Sequence, residues 1–252
     1  MADRSSAALS GKLARISSTA ETPAIPVAAP NLGSEKFPEN RATPRRVPRA
    51  ALLIVVGLAI VGLSIGLWHF VLRDRFVPKR FGVVVPGKVF RSGQISRHLI
   101  AGVIDSHQIG TIIDLNGLDP ADADQRAELE VAEAKGVQHL RFPLRGDATG
   151  QIERYAGAVE AIVASERAGR PVLVHCAAGS QRTGACVSFY RLLVRHDPPA
   201  DVYCELASYG WDPRTNQVLL DYVNGHMSEL AQLLVERHVI DRAPTPLPSL
   251  HP

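Results

Sequence analysis

Three cysteines in 252 residues are too few to frame a fold. Cys176, Cys186 and Cys204 cannot all pair, and their spacing is not that of a metal-ligand set. A disulfide framework and a cysteine-ligated zinc are both excluded. Net charge is low as well. A net charge of +3, with no basic stripe interleaved with aromatics, gives no footing for a nucleic-acid partner. No internal repeat is present, and the length suits one full-sized domain with accessory segments.

One stretch lacks charge almost entirely. "ALLIVVGLAIVGLSIGLWHFVL", residues 51–72, holds only His69 as a titratable group. At ~1.5 Å per residue it reaches roughly the ~30 Å of a bilayer core. It begins too deep in the chain for a cleaved signal peptide, and it has no polar face such as a core helix carries. The sequence therefore predicts a single-pass transmembrane helix over 51–72, with the lipid bilayer as partner and Trp68 at the interface. Residues 1–50, rich in Pro, Ala and Ser, bury too little to order and read as a disordered tail. Residues 73–80 form a basic juxtamembrane linker, and 241–252 read as a second disordered tail. Lys36, Arg41, Arg45, Arg46 and Arg49 precede the span; Arg73, Arg75, Lys79 and Arg80 follow it. That count leans toward a cytoplasmic N-terminus.

Between 81 and 240 strands and helices alternate. "FGVVV" and "KVFRS" flank a Pro-Gly turn, "GTIIDLNG", "VQHLRF" and "PVLVH" read as further strands, and helical spacing marks 99–107, 152–163, 183–195 and 219–234. The acidic, alanine-rich stretch 120–135 suits a surface helix. The fold class is α/β, a central mostly parallel sheet flanked by helices and preceded by one transmembrane helix. Reactive sites in such sheets lie at the carboxyl ends of the strands.

"VLVHCAAGSQRTG", residues 172–184, places a cysteine at such an end. The loop Ala177–Ala178–Gly179–Ser180–Gln181–Arg182 can curl so that its backbone N–H groups face inward beside a helix N-terminus, a cradle of phosphate size. Gly179 supplies the positive φ, the small side chains let a ligand approach, and Arg182 adds a planar fork for two phosphate oxygens. The same groups lower the pKa of Cys176 and make its thiolate a nucleophile. Thr183 can donate to the sulfur as it leaves, and His175 braces the loop.

"HCAAGSQRTG" resembles the His-Cys-x-x-Gly-x-x-Arg-Thr-Gly signature of the cysteine-dependent protein tyrosine and dual-specificity phosphatases, and "VFRSGQ" at 89–94 is similar to the opening segment of their compact dual-specificity-like members. The resemblance covers roughly 81–225. It implies that Cys176 becomes a phosphocysteine, that Arg182 binds the phosphoryl group, and that no metal or cofactor is needed. It also implies a general acid on an upstream loop. "RFPLRGDATG", 141–150, occupies that place, with Asp147 as the acid between Gly146 and Gly150, which permit loop closure. Asp114 is the runner-up, and the run Asp119, Asp122, Asp124 reads as a solvated helix start.

Ala177, Ala178, Ser180 and Gln181 add no cation to Arg182, so a phosphorylated protein is favoured over a polyphosphorylated inositol or phosphoinositide, unless Arg91, Arg97 or Arg145 compensates. Two other classes stand beside hydrolysis: a membrane-tethered phosphate-binding module without turnover, for which Asp147 discriminates, and sulfur or arsenate chemistry, for which Cys186 would have to serve as partner thiol. A low-pKa thiolate favours a reducing compartment, against the lean of the cations, so the side of the membrane stays open.

Overall fold

The computed structural model describes residues 48–68 and 72–251. The expected disordered tail therefore lies almost wholly outside the described residues. Helix α1 runs Arg49–Leu67, 19 residues, and α2 is one turn at Arg73–Phe76. Among the described residues no helix is long and apolar enough to cross a membrane. The expected 22-residue span is thus not shown as a membrane-crossing helix. At ~1.5 Å per residue, α1 reaches only about 28 Å, and residues 69–71 of the expected span lie outside the described residues. The aliphatic side chains of α1 from Leu53 to Leu67 stand exposed, Leu63 at 74%.

The catalytic-domain stretch folds as expected around a five-stranded sheet in the order β1-β2-β5-β3-β4. The strands are β1 (Gly82–Val85), β2 (Val89–Gly93), β3 (Thr111–Asp114), β4 (Gln138–Arg141) and β5 (Val172–Cys176). Only β1 runs antiparallel; β2, β5, β3 and β4 are parallel neighbours. Central β5 reads Val-Leu-Val-His-Cys, buried throughout, as a strand covered on both faces must be. Its alternation sorts the two cores. Val172, Val174 and Cys176 face one cluster and Leu173 the other.

The larger cluster is closed by α5 (Ile152–Arg167), α6 (Gln181–Leu193), α7 (Pro199–Ser208) and α8 (Gln217–Glu236). Ile100, Val103 and Ile104 of α3 (Ile100–His107) and Ala132 of α4 (Ala123–Lys135) close the smaller one. Asp122 caps α4 by accepting from the N–H groups of Asp124 and Gln125, which accounts for one of the acidic residues of that run.

Helix α7 has no counterpart in the sequence reading. Its signals are present: Pro199 at the first helical position, then Val202 and Leu206 one turn apart on the buried side. The C-terminal segment also differs from the free tail expected over 241–252. It forms no helix or strand, yet Leu250 is buried in the larger core and its backbone is held from both sides by the Asn224 amide.

Candidate active site

Parallel pairing puts three strand ends side by side. Gly93 of β2 stands opposite Cys176 of β5, and Asp114 of β3 stands opposite His175. The chain then turns through 177–180 into α6, whose N-terminal turn begins at Gln181. Gly179 has φ +76°. A Cβ there would lie 2.4 Å from the Gly93 nitrogen and 2.7 Å from the Ser92 carbonyl oxygen, so close packing as well as the turn requires glycine.

The Gly179 N–H donates to Cys176 Sγ at 3.2 Å. The Thr183 hydroxyl lies 3.5 Å from the Ser92 carbonyl and also bears on the sulfur. Burial pushes the Cys176 thiol up. The Thr183 hydroxyl, the Arg182 charge and the N–H groups of Thr183 and Gly179 outweigh it, and the thiol is held below its ordinary range. Arg182 is itself aimed by the Leu115 carbonyl at 3.2 Å. The Gln181 amide donates to Asn216 Oδ1, and the Trp211 indole N–H donates to the Asn216 carbonyl at 2.9 Å, which ties the rim of the loop to the α7–α8 connection. Cys176, Ala178, Ser180, Gln181 and Arg182 line one cavity of about 290 Å³ together with Arg80, Gly146 and Gly210. A larger cavity of about 790 Å³ is lined by Arg167, His196 and Arg242 among others and includes none of the predicted site residues.

Beneath the loop His175 is fully buried. Its Nε2 lies 3.1 Å from Glu128 Oε1, an ion contact off the hydrogen-bond line. The same oxygen meets His139 Nε2 at 3.1 Å, and Oε2 accepts from the Gln94 amide at 2.9 Å. Burial favours the neutral imidazole, but the Glu128 charge prevails and raises the His175 pKa; burial likewise opposes the Glu128 charge, and His175 prevails in lowering it. Glu128 is a site residue that sequence reading missed, because it sits in a stretch whose acidic composition suits a solvated helix. Asp114 pairs with Arg141 at 2.9 Å and accepts from the Asn116 N–H. Ligand atoms of Asp114, Glu128, His139 and His175 approach within 4.8 Å of one another, the distance at which they could hold a metal ion. Each carboxylate already has a partner in Gln94, the imidazoles or Arg141, so the cluster is accounted for as a charge network under the loop.

Asp147 stands exposed at the tip of 145–150, next to Gly146 in the cavity wall. Its carboxylate accepts from the Thr149 hydroxyl at 2.7 Å and the Thr149 N–H at 3.0 Å, and these bonds hold its pKa below the ordinary range. The loop is more firmly held than two flanking glycines suggest. Tyr155 Oη donates to the buried Ala148 carbonyl at 2.6 Å, Tyr222 Oη to the Gly150 carbonyl at 2.8 Å, and the Arg145 N–H to the Thr149 carbonyl at 2.9 Å. Gly146 has open space around it, but a Cβ at Gly150 would lie 2.9 Å from Leu144 Cδ2. Gly150 therefore packs against the end of the Leu144 side chain, and open space is left at the Gly146–Asp147 tip.

Of the cations considered for substrate, Arg91 is buried beneath the loop and paired with Glu205. The backbone of Arg97 is held by Asp124, and Arg145 lines a separate groove with Gly117, Arg154 and Tyr222. Arg80, counted at first only as part of a linker, is the cation that joins Arg182 in the cavity wall.

The family model described as "DSP-PTPase phosphatase fused to NAD+ Kinase" matches residues 86–211. No curated protein matches the chain. Among solved structures, TpbA of P. aeruginosa superposes with a TM-score of 0.51 at 19% identity, over 64% of this chain and 91% of that one. The Siw14 catalytic core superposes at 0.53 and 15% identity, over 68% and 96%. The core catalytic domain of the PP-IP phosphatase SIW14 from S. cerevisiae, in complex with citrate, does so at 0.51 and 17%, over 68% and 96%. At these identities the structures show a common fold. The family match spans half of the chain, from the turn before β2 to the end of α7, and the chain belongs to this DSP-PTPase phosphatase family.

Proposed function

We propose that the protein hydrolyses phosphate monoesters through a phosphocysteine at Cys176. The observation that carries this is a buried thiol held below its ordinary pKa at the floor of a cavity walled by Arg182 and the loop amides. The Cys176 thiolate attacks phosphorus in line with the ester oxygen while the loop N–H groups and Arg182 hold the three remaining oxygens. Asp147 gives its proton to the departing oxygen. Its bonds to Thr149 favour the anion at rest, so delivery needs the tip to leave Thr149 as it turns toward the dianionic phosphate, whose charge raises its pKa. Water then cleaves the P–S bond with Asp147 as base, and the Thr183 hydroxyl supports the sulfur as it leaves. The acid loop and the low-pKa thiol together favour turnover over phosphate binding alone. Cys186 is buried and pushed up to about 12, which disfavours it as the partner thiol of sulfur or arsenate chemistry.

The substrate we favour is a phosphorylated protein. Two cations, Arg80 and Arg182, line the cavity, and Arg80 already donates to the Ala178 carbonyl at 2.8 Å. That suits one phosphate monoester better than a head group with several. We further propose that the uncharged run 51–72 seats the enzyme at a lipid bilayer as a single-pass anchor. Supporting this are the exposed aliphatic side chains of α1, which are costly in water. Recovery of the full chain in a carbonate-washed membrane pellet supports this, and recovery in the supernatant contradicts it.

The test of function is turnover of p-nitrophenyl phosphate and of a phosphotyrosine peptide in EDTA by the native chain, Cys176→Ser and Asp147→Asn. The account expects no activity from the serine variant and a strong loss from the asparagine variant. A fully active serine variant would rule it out.

A further inference from the structure

The amides of the cradle point inward because something holds their carbonyls outward. Three consecutive carbonyls on the loop have partners from outside it, all supplied by residues 80–94. The Ala177 carbonyl accepts from the Gln94 N–H at 3.2 Å, the Ala178 carbonyl from the Arg80 guanidinium at 2.8 Å, and the Gly179 carbonyl from the Arg91 guanidinium at 3.1 Å. A trans peptide is planar, with its C=O and N–H antiparallel. Fixing these three carbonyls therefore fixes the N–H groups of Ala178, Gly179 and Ser180 on the opposite side. The Gly179 N–H on Cys176 Sγ shows one of them so directed.

The two arginines are held differently. Arg91 is 1% exposed, donates to Glu205 Oε1 at 2.5 Å, and stacks its guanidinium 3.9 Å from the Tyr209 ring centroid. Glu205 is in turn paired with Arg191, which also bonds Asp197, so the support runs from the loop through α7 to the surface. Arg80 is exposed. Its segment is fastened by the Gly93 N–H donating to the Lys79 carbonyl at 2.7 Å, and Arg80 also packs against Gly210.

We infer that Arg80 and Arg91 are positioning residues: by gripping the outer carbonyls of the loop from the N-terminal flank, they set the orientation of the amides that bind phosphate and face the thiolate. A guanidinium is suited to this, because it stays charged and donates along fixed directions. Loss of either grip lets its peptide rotate, and the cradle then presents a carbonyl dipole where it should present an N–H. This rests on the phosphatase reading of the loop, which the experiment tests separately.

The experiment uses the full chain as native, Arg80→Ala, Arg80→Lys and Arg91→Lys. Three quantities are read: kcat and KM on p-nitrophenyl phosphate, inhibition by orthovanadate, and the pH midpoint of Cys176 alkylation by iodoacetamide, followed on its own peptide so that exposed Cys204 does not interfere. Arg80 is exposed, so its alanine variant keeps the fold, checked by its melting temperature. Arg91→Lys retains a charge for Glu205. A charge-assisted bond to a carbonyl makes the expected loss about tenfold in vanadate affinity for Arg80→Ala and for Arg91→Lys. The alkylation midpoint should move to higher pH in both, and Arg80→Lys should recover part of each change. Variants with native vanadate affinity and a native alkylation midpoint would overturn the inference even if kcat fell. A native chain that neither turns over substrate nor binds orthovanadate would overturn the phosphatase reading, and the inference with it.

Discussion

Replacing Glu128 by alanine removes the anion that three neighbours share: His175, His139 and the Gln94 amide. Both Glu128 and His175 are fully buried, so the contact is little screened by water. Breaking a buried pair by deleting one partner costs 3–5 kcal/mol. His175 can lose its proton once the carboxylate is gone, which places the cost at the low end, about 3 kcal/mol. For a domain of this size that is a fall of about 9 °C in Tm.

The pH dependence has a definite sign. Glu128 has a lowered pKa in the fold, so its contribution is complete above the ordinary carboxylate value of ~4.3 and is lost as pH falls through the depressed one. His175 has a raised pKa, so its contribution is complete below ~6.5 and is lost as pH rises through the raised one. The Tm gap between native and variant should be widest from about pH 4.5 to 6.5 and narrow on either side. Calorimetry of the full chain across that range is the assay. Equal melting temperatures for native and Glu128→Ala at pH 6 would refute the reasoning that this pair supports the nucleophile loop.

Gly179→Ala should cost about 2 kcal/mol from positive φ alone. Because the added carbon meets backbone at 2.4 Å, kcat/KM should fall by more than a hundredfold while far-UV circular dichroism stays native. Native kinetics would mean the loop is looser than described. Thr149→Val removes the hydroxyl bond that favours ionised Asp147 in the free enzyme, so the basic limb of the kcat/KM profile should move to higher pH. An unmoved limb would show that Asp147 is not the group titrating there.

Much of the fold was legible because its strands announce themselves. "PVLVH" is an apolar run set between a proline and a turn, and it became the central strand ending at Cys176. The cradle was legible for the same kind of reason, since Gly179, Arg182 and Thr183 lie within one short loop and their spacing encodes their geometry. Partners distant in sequence were not. Glu128 and His175 are brought together only when α4 packs beside the sheet, and Glu128 faces inward among residues whose composition suits water. Arg91 was read as a cation available to substrate, but β2 carries its side chain under the loop toward Glu205. Arg80 was read as part of a linker because the bond that defines it spans 98 residues. The stiffness of the acid loop depends on Tyr155 and Tyr222, whose hydroxyls no local pattern connects to Ala148 and Gly150.

The central claim is that phosphorus passes through sulfur at Cys176. The most direct measurement is mass spectrometry of the native chain after rapid acid quench from turnover of a phosphotyrosine peptide, reading the peptide that holds Cys176. A phosphoryl adduct on Cys176 is predicted in the native chain during turnover, and none at that position in Cys176→Ser. Turnover that proceeds with no adduct on Cys176 in the native chain would contradict the claim.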